Sequence, residues 1–91
     1  MSKRLNISDE QLEKIAKALA DSNRVKILRQ VGSQHRVPLS DVLERLAISG
    51  ATLSHHIRAL EATGLIVISR EQNSAFLTIR REIVSAYAAR P

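Results

Sequence analysis

Thr52, Ser54, His55, His56 and Arg58 form a short run of side chains suited to polar recognition. Hydroxyls and imidazoles exchange hydrogen bonds with base edges or phosphate oxygens, and a guanidinium takes guanine or phosphate through two parallel N–H groups. This is binding chemistry. No HExxH pair, phosphate-cradling glycine loop, cysteine nucleophile or serine triad accompanies it, so neither enzymatic activity nor a cofactor is expected. Adjacent His55 and His56 cannot readily chelate one ion, because helix neighbours point about 100° apart. The third histidine, His35, stands alone in a polar loop, and no metal is expected.

These residues need a rigid element to present them, and the stretch 48–65 supplies its punctuation. Ser49 is suited to cap a helix, Ile48 to staple onto Leu53, and Gly64 to stop the helix with Leu65 folding back on Leu60. The helix is predicted over residues 50–63. Leu53, Ile57 and Leu60 share one side, opposite Ala51, His55, Arg58 and Ala62, with Thr52 and Ser54 on the flanks. His56 projects nearer the apolar side, where it either packs or reaches a phosphate from the shoulder of a groove. A solvated helix face has the same composition, so recognition needs support from the rest of the chain.

That support begins with charge. The 91 residues make one domain, 1–91, with formal net charge +5, which favours a polyanionic partner. One Phe and one Tyr are too few to stack successive unpaired bases, so double-stranded DNA is the better polyanion. Cysteine is absent, which excludes disulfides and thiolate metal ligands in the unmodified chain. No signal-peptide pattern or membrane-length apolar run occurs, so a cytoplasmic protein without membrane attachment is expected. A chain this short buries a limited core, which invites a partner subunit.

Residues 1–6 read as a basic arm. Ser8 and Gln11 offer a capping box for a first helix through about residue 20, with Ile7 and Leu12 as staple and Leu12, Ile15, Ala16 and Leu19 on its apolar face. Asp21 caps a second helix that Gly32 should stop, with Arg24, Lys26 and Arg29 on its exposed side. Val37-Pro38 suggests a very short strand, and Ser40 caps a third helix, 41–46. Ala47-Ile48 joins it to the helix at residue 50, the pattern of a helix-turn-helix. The β-branched runs 65–68 and 75–79 form a hairpin, with Asn73 suited to positive φ at its tip and Arg70 placed for a phosphate. A last helix, 80–90, shows Ile83, Val84 and Tyr87 on one face. The expected class is mainly α with a small β-hairpin: helix, helix, strand, helix, helix, hairpin, helix.

The ordered set Ala18-Leu19-Ala20-Asp21, Arg24, Ile27-Leu28, Leu46, Ser54-His55-His56-Ile57-Arg58-Ala59-Leu60 and Gly64-Leu65-Ile66 resembles the ArsR family of winged helix-turn-helix repressors, over residues 15–79. The resemblance implies a homodimer through the first and last helices, a recognition helix at 50–63 in the major groove, and a hairpin wing on the backbone. Two recognition helices roughly 34 Å apart then imply a palindromic operator. Thr52, Ser54, His55, His56, Arg58 and Arg70 are the expected DNA-binding residues. The chain departs from relatives that sense metals through cysteines before the recognition helix or through Asp and His on the last helix. It also has Gly50-Ala51 where longer or polar residues are common, Ala47 for a frequent turn glycine, and Ser69 and Gln72-Asn73 for the usual wing arginine and Gly-Arg pair. A winged-helix protein-interaction module is the alternative reading that these departures keep open.

Overall fold

A computed structural model describes residues 7–89, so the arm at residues 1–6 and the end of the last predicted helix lie outside the described residues. The order is α1 (Asp9–Leu19), α2 (Ser22–Ser33), β1 (Val37–Pro38), α3 (Leu39–Leu46), α4 (Gly50–Thr63), β2 (Ile66–Glu71), β3 (Ser74–Ile79) and α5 (Arg81–Ala88). The chain thus folds as a winged helix-turn-helix. The sheet order is β1-β3-β2, antiparallel throughout, with Val37 opposite Leu77 and Ile68 opposite the other side of the same leucine. Proline lacks an N–H for a ladder, which suits the outer position of β1.

Each helix contributes its inward stripe to one core. Ile15, Ile27, Val31, Val42 and Leu60 are fully buried against Val37 and Leu77 of the sheet, and Ile83 closes the core from α5. Removing this apolar surface from water supplies the main driving force, roughly 25 cal/mol per Å². Tyr87 packs on this same core, and the exposed apolar side chain of α5 is Val84, 38% exposed. Val84 therefore does not share with Ile83 and Tyr87 the single face that the sequence suggests.

Several boundaries move for physical reasons. Gly32 does not stop α2, which runs on to Ser33 and ends at an extended Gln34. Instead, the Gly32 carbonyl accepts a bond from Arg81 Nη2 at 3.1 Å. Ser40 does not cap α3, because the chain turns from strand to helix directly at Pro38 and leaves Ser40 inside the first turn. Asp21 caps α2 as expected, accepting from the N–H groups of Asn23 and Arg24. Partial desolvation raises the Asp21 carboxyl, but these two backbone donors, aided by nearby positive charge from His56 and Arg24, outweigh it and hold the group below its ordinary value.

The capping box at Ser8 is only half formed. Ser8 Oγ accepts from the Gln11 N–H, while the Gln11 side chain turns away and donates to the Thr63 carbonyl at 3.0 Å. That bond spans the domain and pins α1 to the end of α4.

Candidate nucleic-acid interface

The helix that presents the polar run starts and stops where its local signals place it. Ser49 Oγ accepts from the Thr52 N–H at 3.1 Å, and Gly64 ends α4 at φ 82°. A side chain at Gly64 would meet left-handed strain and would also place Cβ 3.0 Å from Gln11 Nε2. Thr63, which sequence reasoning passed over, completes the stop. It is 1% exposed, its hydroxyl donates to the Leu60 carbonyl, and the same oxygen accepts from the Leu65 N–H at 3.0 Å.

Leu53, Ile57 and Leu60 hold α4 from within. Thr52, Ser54, His55 and Arg58 are all exposed on the other side. Thr52 Oγ1 accepts from Ser49 Oγ at 2.9 Å, which leaves the Thr52 hydroxyl proton available to an external acceptor such as a phosphate oxygen.

His56 is the correction within this set. It is 6% exposed, and its Nδ1 accepts from Arg24 Nε at 3.2 Å. Of its two sequence readings, the structure shows the packing one, with Arg24 at its Nδ1. Arg24 is likewise half-buried rather than a decoration of the exposed side of α2. The pair ties the first turn of α2 to the middle of α4, and its sequence separation of 32 hides it from any local pattern.

The turn before α4 is left-handed at Ala47, with φ 54° and ψ 41°. For a non-glycine residue this costs about 1–2 kcal/mol. The hairpin turn is a tight two-residue connection, Gln72-Asn73, and its positive φ of 53° falls on Gln72 rather than on Asn73. Two-residue hairpin turns require positive φ at their first position, which the register from Glu71 to Ser74 forces on glutamine.

Arg36, unremarked in the sequence, braces the hairpin: its guanidinium lies 3.8 Å over the Phe76 ring and pairs with Glu71. The hydrogen bond from Arg36, aided by its charge, holds the Glu71 carboxyl below the ordinary glutamate value. Arg70 is left exposed beside this brace.

Folding joins the hairpin to the helix-turn-helix across a groove of about 500 Å³, lined among others by Ser40, Leu43, Gly50, Ser54, Arg70 and Asn73. Ser54 and Arg70, read separately from the sequence, thus face one groove. His55 and Arg58 lie outside it on the exposed side of α4. A Cβ at Gly50 would touch nothing within 4 Å, so its absence leaves the approach to the start of α4 open. Among the described residues no three His, Cys, Asp or Glu side chains group as a metal site, and no helix is long and apolar enough to cross a membrane.

Residues 19–68, which include the two helices and turn described above, match a family described as "Helix-turn-helix domain". The chain is 32% identical over 71 residues to the cadmium resistance transcriptional regulatory protein CadC homolog of Staphylococcus aureus, an alignment covering 78% of this chain. It spans 59% of the length of that curated relative. The crystal structure of an ArsR family transcriptional regulator superposes with a TM-score of 0.82 at 25% identity, covering 93% of this chain and 87% of that one. A solution structure of a homodimeric winged helix-turn-helix DNA-binding domain from Mycobacterium bovis shares the fold with a TM-score of 0.76 at 22% identity, covering 92% of this chain and 83% of that domain.

Proposed function

Because the chain belongs to the helix-turn-helix domain family, in its ArsR-type winged form, we propose that it is a sequence-specific transcriptional regulator that binds double-stranded DNA, a repressor acting as a homodimer on a palindromic operator. The observation that carries this reading is the division of α4 into a buried side, Leu53, Ile57 and Leu60, and an exposed polar side, Thr52, Ser54, His55 and Arg58. Small hydroxyl residues near the start of the helix let its backbone come close to a groove floor, while Arg58 offers two donors to guanine or phosphate. Arg70 on the wing approaches the flanking backbone.

The proposed dimer joins the first and last helices. Leu12 on α1 is half-buried yet outside the core cluster, and Val84 on α5 is exposed, so each has apolar surface left for a second copy. One relative is named for cadmium resistance, but this chain has no cysteine, and we propose a regulator that works without a metal.

Titration of labelled duplex at rising salt tests the reading. A dimer that neutralises several phosphates loses affinity with a log–log slope of about −0.9 per phosphate. A folded chain with a slope near zero would favour the protein-interaction module instead. In the same samples, sedimentation of Leu12→Lys and Val84→Lys as monomers is expected, and stable dimers of both would refute the helix assignment.

A further inference from the structure

Away from the groove, a cleft of about 480 Å³ opens between α2 and the last turn of α3, lined by Lys26, Arg29, Gln30, Ser33, Arg45 and Leu46 together with Gln34. Its charge is one-sided. Lys26, Arg29 and Arg45 are exposed, no acidic residue lines the cleft, and none of the three cations is in an ion pair among the described residues. Lys14, Lys17, Arg36 and Arg80, by contrast, are each matched to a glutamate. Gln30 adds a buried Oε1 with no hydrogen-bond partner among the described residues. Three exposed like charges gathered around one cleft repel one another, and an anion seated between them offsets that repulsion through charge-assisted hydrogen bonds.

We propose that this cleft is a binding site for a phosphate-type anion, a role distinct from base reading by α4. Lysine and arginine supply three and five donors apiece, and the glutamine amides add neutral ones, while the Ser33 hydroxyl already donates to the Gln30 carbonyl. The carboxyl-terminal ends of α2 and α3 oppose an anion with about half a negative charge each, which three full cations outweigh. A bound anion bridges α2 to Arg45, two residues before the left-handed Ala47 that directs the chain into α4. The site is therefore placed to bear on the turn that orients the recognition helix.

The anion has two sources with one chemistry: a small phosphorylated molecule, or the backbone of duplex beyond the groove. The full chain is titrated with inorganic phosphate against sodium chloride of equal ionic strength, following backbone amide shifts. Saturable shifts at Gln30, Ser33 and Leu46, weakened at least tenfold in Arg29→Gln/Arg45→Gln, are the expected result and identify a free anion. If phosphate does not saturate but the double variant makes the salt slope of duplex binding shallower by about 1.8, the DNA backbone is the source. Chloride-like shifts together with an unchanged slope overturn the proposal. Should wild-type protein show no salt-dependent DNA binding, the DNA reading falls while the phosphate titration still decides the cleft. Lys26→Gln, on exposed α2 surface, serves as a second variant should the double variant melt early.

Discussion

The exposed face of α4 carries one cation, Arg58, among Ala51, Thr52, Ser54, His55 and Ala62, with Glu61 beside them. The flank between α2 and α3 gathers Lys26, Arg29 and Arg45 with no acid between them. The difference follows from the range of the forces involved. Hydrogen bonds that distinguish bases act only below about 3.2 Å, so a reading surface needs short side chains that permit close approach. Charge acts over the Debye length, about 8–10 Å in physiological salt, and can be held back from the reading surface. On the proposed DNA-binding reading, close approach and attraction are assigned to different surfaces.

The comparison can be broken most severely from beneath α4. Leu60 is fully buried at the centre of its inner side, and Leu60→Ala should lower stability by about 2–5 kcal/mol, read from the urea unfolding midpoint. A loss under 1 kcal/mol would mean that the outer face does not depend on this anchor. Arg58→Ala should weaken operator binding by about 1–3 kcal/mol with helix content unchanged, measured by fluorescence anisotropy. Unaltered affinity would shift the reading role to His55 and the hydroxyls.

Two smaller changes sharpen the contrast. Ala47→Gly removes about 1–2 kcal/mol of left-handed strain and loses about 0.4–1 kcal/mol through the freer unfolded chain, so a net stabilisation near 0.5–1 kcal/mol is expected on melting. Destabilisation would mean that the alanine methyl makes a contact worth more than the strain. The smallest effect concerns the wing. Glu71 is held below its ordinary value by Arg36, so its contribution to folding is present above the unfolded glutamate range and fades as pH falls through the folded value. In Arg36→Gln, side-chain NMR should show the Glu71 titration moving upward, and the stability gap between variant and wild type should close toward acid. The pair is exposed, so the effect on operator affinity should be slight.

Much of α4 was legible because its signals act within one turn. Ser49, Gly64 and the spacing of Leu53, Ile57 and Leu60 gave both bounds and both sides of the helix. The same kind of signal misled at Gly32 and Ser40. A glycine permits a stop without requiring one, and a serine caps only if the chain has not already entered the helix at Pro38. At the hairpin tip, asparagine's tolerance for positive φ yielded to the strand register, which put that geometry on Gln72.

By itself, the sequence determined the order of elements, the caps of α1, α2 and α4, and the polar residues on the exposed face, all set by neighbours a few positions apart. Only the tertiary structure decided that His56 turns inward to Arg24, that Gln11 reaches Thr63 across 52 positions, and that Ser54 and Arg70 share a groove. It alone brought Arg45 to Lys26 and Arg29. Local backbone preference has no information about partners brought near by the packing of a whole core, and these pairings exist only once that core has formed.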